Sequence, residues 1–81
     1  MQIHVKLFAR AKDLAGSSSF ELDLPLAATV GVAKATLVEC YPQLFKLMPV
    51  MLVAVDGSYA NDQTVLTPAC ELACFPPVSG G

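Results

Sequence analysis

Residues Thr29 to Pro42 read TVGVAKATLVECYP, and this stretch decides the class of fold. Thr29 carries the side-chain oxygen an N-cap needs. Val30, Ala33, Leu37 and Cys40 or Tyr41 then recur at the spacing of one helical face until Pro42 stops the run. The spacing predicts one amphipathic helix. Gly31 costs it about 1 kcal/mol relative to alanine, and Val30 and Val32 are mediocre helix formers, so packing rather than propensity must hold it. Gln43 to Met48 is expected to add a short helical turn.

On the N-terminal side of the helix the period changes from helical spacing to two. Ile3, Val5 and Leu7 alternate with His4, Lys6 and Phe8, the pattern of a strand with one buried face, which turns Phe8 away from the core. Ala9 to Ser19 holds Gly16 and a serine run and reads as a turn or irregular connection. Phe20, Leu22 and Leu24 then alternate with Glu21 and Asp23 as a second strand, ended by Pro25.

On the C-terminal side, Val50 to Val55 is a continuous apolar run followed by Asp56-Gly57. It predicts a strand buried on both faces at the centre of the sheet, turning into a short partner around Ser58 to Ala60. Thr67-Pro68-Ala69-Cys70 suits a type I turn, after which Cys70, Leu72 and Cys74 alternate with Glu71, Ala73 and Phe75, so the last strand turns Phe75 outward. The order strand, strand, helix, strand, short strand, strand predicts an α+β domain in which a mixed sheet of four to five strands folds around one main helix.

With 81 residues there is one domain, and a chain of this size buries only about 60 to 65% of its unfolded surface. Because 54% of the residues are hydrophobic, part of that apolar surface is expected to meet a partner. Five basic residues against seven acidic ones, with only Arg10 and Lys12 close together, exclude a phosphate-tracking stripe and hence nucleic acid as a ligand. The run from Leu47 to Val55 is interrupted by Pro49 and too short to span a bilayer, and His4 and Lys6 break any signal-peptide core. A cytoplasmic, soluble protein is expected, with no membrane partner.

Cys40, Cys70 and Cys74 lack metal-ligand spacing, and no histidine cluster accompanies them, so no metal site is expected. Cys70 and Cys74 read as one strand, where four residues span about 13 Å, too far for a disulfide. All three are expected to be buried thiols acting as small hydrophobes.

His4, the only histidine, stands on a strand's outer face without an evident partner. Ser17-Ser18-Ser19 lacks the context of a nucleophile elbow, and Gly31, Gly57, Gly80 and Gly81 make no phosphate-binding spacing. Arg10, Lys12, Asp13, Lys34 and Lys46 read as solvated charges, the first three also suiting ion pairs with a partner protein. The chain has no self-contained active site and is noncatalytic by itself.

The segment after Phe75 is different in kind. Pro76-Pro77 favours extended polyproline geometry, Val78-Ser79 follows as spacer, and Gly80-Gly81 ends the sequence. Residues 1–75 therefore read as the folded domain and 76–81 as a projecting tail, whose reach of about 20 Å is enough to enter a neighbouring protein's active site. Prolines lower the entropy lost on threading into a channel, and glycines let a narrow channel close around bare backbone. The chemical group at the tip is the Gly81 carboxylate, a poor acyl donor until ATP converts it to an acyl-adenylate. A sulfur nucleophile can then convert such an adenylate to a thiocarboxylate.

The segment Cys74 to Gly81, CFPPVSGG, resembles the C-terminal signature of the small subunits of molybdopterin synthase, the MoaD family of ubiquitin-like sulfur carriers. Similarity extends to Lys6-Leu7-Phe8-Ala9-Arg10, to Lys12-Asp13-Leu14 and to Tyr41-Pro42. Ala69-Cys70-Glu71 stands where that family usually has Gly-Asp-Glu, and Asp56 where asparagine is common. The resemblance implies a β-grasp, or ubiquitin-like, fold. It implies that Gly81 is adenylated by an E1-like enzyme using ATP and then carries a C-terminal 1-thioglycine, with a sulfurtransferase or cysteine desulfurase as sulfur source. It implies further that the tail inserts into a large synthase subunit, in a heterotetramer of two small and two large chains, and gives sulfur to cyclic pyranopterin monophosphate in molybdenum cofactor biosynthesis. No cofactor is expected to stay bound.

In a β-grasp sheet the first and last strands are parallel neighbours. Phe8 and Phe75 should then lie side by side at the tail's exit as an apolar docking patch, which Tyr59 extends. Other readings of the same tail are a sulfur carrier for thiamine or cysteine synthesis, a ubiquitin-like modifier conjugated through Gly81, and an interaction module with an incidental tail.

Overall fold

The structure is a computed structural model that describes residues 1–77. Its strands are β1 (Gln2–Leu7), β2 (Ser19–Asp23), β3 (Leu52–Val55), β4 (Ser58–Ala60) and β5 (Glu71–Phe75); its helices are α1 (Ala9–Ala15) and α2 (Val30–Cys40). Two short 3-10 turns, Pro42–Leu44 and Met48–Val50, connect α2 to β3. The strands form one sheet in the order β2-β1-β5-β3-β4, in which β1 and β5 run parallel and the other neighbours antiparallel. This is the mixed sheet around a main helix that the pattern predicts, and its topology is the β-grasp.

The sheet has one covered face. Ile3, Val5 and Leu7 from β1, Leu22 from β2, Val53 from β3, and Leu72 and Cys74 from β5 are buried, and they meet Val30, Ala33 and Leu37 of α2. The Thr29 hydroxyl accepts the Val32 N–H at 3.3 Å, so the predicted N-cap is made. Gly31, unfavourable in a helix, is explained by close approach. Its N–H donates to the Asp62 carbonyl at 2.9 Å, and a Cβ there would sit 3.3 Å from the same oxygen. At the β3–β4 hairpin, Asp56 and Gly57 both have positive φ, 48° and 86°, the pair that a two-residue turn of matching twist requires.

Four expectations are corrected. Ala9 to Ser19 is not an irregular connection: Ala11, Leu14 and Ala15 are strong helix formers, and Gly16, left-handed at φ 76°, closes α1 by donating its N–H to the Lys12 carbonyl. β3 is neither central nor buried on both faces. β5 occupies the centre, and Leu52 is 44% exposed because nothing among the described residues covers the outer side of the sheet. The turn at Thr67 to Cys70 is not type I, since Ala69 has φ 63°, the left-handed value that type II demands at its third residue. Cys40 is exposed, unlike the buried Cys70 and Cys74, because α2 ends there and turns that position to solvent; Cys70 itself lies just ahead of β5.

Candidate functional site

The uncovered face of the sheet is sorted by the alternation of its strands. Residues out of phase with the core are His4 and Lys6 on β1, Glu21 on β2, Glu71, Ala73 and Phe75 on β5, Leu52 and Ala54 on β3, and Tyr59 on β4. In register, Lys6 pairs with Ala73, Ala73 with Ala54, Ala54 with Tyr59, and Phe75 with Leu52. Small side chains therefore floor the middle of the face while large apolar ones stand around them.

At the end of the sheet where β5 stops, the aromatic residues gather. The Phe8 and Phe75 rings meet edge to face with centroids 6.3 Å apart, and Tyr59 meets Phe75 in the same manner at 5.9 Å. Phe8 lies just past β1, in extended backbone at the N-cap of α1, and its N–H donates to the Cys74 carbonyl at 3.1 Å. Parallel pairing of β1 with β5 thus sets the two phenylalanines side by side. Phe8 is 48% exposed, Tyr59 78% and Leu52 44%, while Phe75, flanked by both rings, is half-buried. Three separated sequence positions become one apolar surface.

Sequence reasoning missed Leu52, Ala54 and Ala73 as members of this surface. The signal was present: the β3 run is apolar at every position, which encodes two apolar faces, and only one of them finds cover in the domain. Beyond the apolar area the face turns charged, with Lys6 and Glu71 paired at 3.1 Å and His4 and Glu21 at 3.6 Å. Arg10, Lys12 and Asp13 are exposed on α1, the helix that begins next to Phe8.

The Cys74 thiol faces the opposite way, into the core, and burial pushes its pKa up to about 12 against a small opposing effect of the Lys34 charge. It stays a protonated hydrophobe at neutral pH rather than a nucleophile. Among the described residues no group of three or more His, Cys, Asp or Glu side chains gathers in a way that could hold a metal ion. No helix among them is long and apolar enough to cross a membrane.

Beyond Phe75 the chain continues through Pro76, half-buried, and Pro77, exposed. The remaining tail positions named from the sequence, Val78, Ser79, Gly80 and Gly81, lie outside the described residues.

The ThiS family model matches residues 5–81. A molybdopterin synthase sulfur carrier subunit from Caenorhabditis elegans is 37% identical over 83 residues, spanning 100% of this chain and 99% of that one. Small archaeal modifier protein 1 from Haloferax volcanii is also 37% identical, over 94% of this chain and 97% of its own length. The crystal structure of that modifier protein superposes with a TM-score of 0.87 at 33% identity, covering 95% of this chain and 98% of that one.

Proposed function

The chain belongs to the ThiS family, and from that premise we propose that it is the sulfur carrier subunit of a molybdopterin synthase, working through the carboxylate of Gly81. The observation that carries this reading is the full-length similarity to the sulfur carrier subunit of Caenorhabditis elegans, together with a family match that runs through Gly81.

The chemistry follows from what a carboxylate lacks. Its oxygen is a poor leaving group, so an activating enzyme first joins it to the α-phosphorus of ATP, releasing pyrophosphate and leaving an acyl-adenylate. A persulfide sulfur then attacks the acyl carbon, AMP departs, and reductive cleavage of the S–S bond by a thiol leaves the thiocarboxylate. In the large subunit this sulfur is transferred to the pterin precursor, and the carboxylate is restored by water. The chain's own contribution is mechanical: the Phe8, Phe75, Tyr59 and Leu52 surface docks the domain, and Pro76 to Gly80 carries the reactive tip into the partner's site.

Mass spectrometry of the chain co-expressed with its activating enzyme tests the reading, because replacing one oxygen by sulfur adds a defined mass at Gly81. The expected result is that mass shift, together with pterin synthesis when the large subunit is supplied. Unmodified Gly81 in active extracts would overturn it. A second reading, conjugation of Gly81 to lysines of other proteins, is favoured by the similarity to the archaeal modifier protein, and the same samples would show it as isopeptide-linked conjugates.

A further inference from the structure

Phe8, the outer member of the aromatic surface, is held through its backbone on both sides. Its N–H donates to the Cys74 carbonyl at 3.1 Å, which carries the contact of β1 with β5 one residue past Leu7. Its carbonyl accepts the Ala11 N–H at 3.2 Å and the Lys12 N–H at 3.4 Å, which opens α1. Phe8 itself is extended, so the passage from strand to helix falls to the next residue. Ala9 makes it at φ 52°, in the left-handed region that strains an L side chain and that glycine or asparagine occupies more readily.

The Ala9 side chain is exposed and packs no core, so the methyl group does not explain the strain. What the left-handed step decides is the direction of α1. The helix turns to the covered side of the sheet, where Ala11 is fully buried in one core cluster with Leu44 of the turn after α2, and Leu14 packs against that cluster. An extended residue at this position would carry the chain straight on beside Pro76, and the cover that Ala11 gives the core would be lost.

We propose that Ala9 is a positioning residue for docking: its left-handed backbone holds the Phe8 ring on the open face against Phe75 while sending α1 to the other side of the sheet. The inference rests on the reading of the aromatic surface as the face that meets the large synthase subunit. Phe75 is fixed within β5 by its pairing with Leu52. Phe8 stands past the last paired residue of β1, so its place depends on the bond to Cys74 and on the turn at Ala9. With Phe8 48% exposed and its ring 6.3 Å from that of Phe75, the edge-to-face contact persists only while the two backbones keep their directions. A partner gains from an anchor already in place, because a ring ordered only on binding loses its freedom at that moment.

Titration calorimetry of the full-length chain against the large synthase subunit, at a temperature where each variant is fully folded, tests the assignment. Ala9→Val puts a β-branched side chain in the left-handed region and should weaken binding about tenfold. Ala9→Asn tolerates that region and should stay within about twofold of the parent, a rescue that points to the backbone rather than to the methyl group. The deciding comparison is with Phe8. Phe8→Ala removes the ring that Ala9 positions, so adding Ala9→Val to it should weaken binding by no more than about twofold further. Ala9→Thr, a milder β-branched change, goes through the same cycle if Ala9→Val folds poorly. Nuclear Overhauser contacts between the Phe8 and Phe75 rings, kept in Ala9→Asn and lost in Ala9→Val, report the place of the ring directly. Equal weakening by Ala9→Val with and without the Phe8 ring would overturn the proposal and keep the docking face, as would an Ala9→Val chain that binds like the parent while Phe8→Ala does not. Parent-like binding by Phe8→Ala would overturn the docking role of Phe8 and the positioning role of Ala9 together.

Discussion

Phe8 donates its backbone N–H to the Cys74 carbonyl across 3.1 Å, and the bond fixes the Phe8 ring beside that of Phe75 at the point where the chain leaves the sheet. Phe75 and Tyr59 stand on paired strands and Phe8 is tied to them by that backbone bond, so the position of the aromatic surface relative to the tail is set by backbone geometry.

Phe75→Ala should weaken binding to the large synthase subunit proposed above as its partner by about 2 kcal/mol or more, because Phe75 stands between Phe8 and Tyr59 and its loss opens the middle of the patch. Titration calorimetry measures this directly. Leu52→Lys, at a 44% exposed position, should weaken the same interaction while leaving the thermal midpoint within a few degrees of the parent. Unchanged affinity in both variants would remove the docking patch from the account.

Ala69→Gly should stabilise the domain by about 1 kcal/mol. Ala69 holds φ 63°, where an L side chain costs about 1 to 2 kcal/mol, and glycine returns part of that as conformational entropy lost on folding. Chemical denaturation with an unchanged m-value would show the gain; Ala69→Val should lose stability at the same site.

Alkaline stability should carry the signature of Cys74. Its folded pKa is raised from 9.0 to about 12, so above pH 9 the unfolded chain releases a proton that the folded chain keeps. The stabilisation is complete below pH 9 and is lost as pH rises toward 12, with a slope of about 1.4 kcal/mol per pH unit in that window. Cys74→Ala should be less stable at neutral pH through lost packing, yet should show a shallower decline between pH 9 and pH 11. An identical slope would show that other groups dominate.

Asp56→Ala should cost about 1 to 2 kcal/mol, since the Asp56 carboxylate accepts the Glu71 N–H at 2.9 Å and its own N–H donates to the Glu71 carbonyl at 2.9 Å. Asp56→Asn keeps an acceptor and tolerates φ 48° well, so it should be within about 0.5 kcal/mol of the parent. Urea unfolding of the pair separates the side-chain bond from the backbone conformation.

Much was determined locally. Period-two alternation at Ile3 to Leu7 and again at Leu72 to Phe75, helical spacing from Thr29 to Pro42, and the Asp56-Gly57 turn each follow from interactions within a few residues, and each appears where the pattern puts it. α1 escaped notice because the serines after Gly16 outweighed the alanines before it. The left-handed Ala69 escaped because nothing local announces a strained alanine; it is held there by the Ala69 N–H bond to the Gln2 carbonyl, 67 positions away in sequence, at 2.9 Å.

By itself the sequence determined an α+β chain with one main helix and a Pro-Pro-Val-Ser-Gly-Gly end, because periodicity, capping and proline chemistry act over short stretches. Tertiary structure alone decided which apolar residues remain uncovered. Strand order puts β5 at the centre and leaves Leu52, Ala54, Ala73, Phe8, Phe75 and Tyr59 on one open face. Burial belongs to the assembled sheet: an apolar run says that two faces avoid water, and only the neighbours gathered from distant positions determine which face is left for a partner.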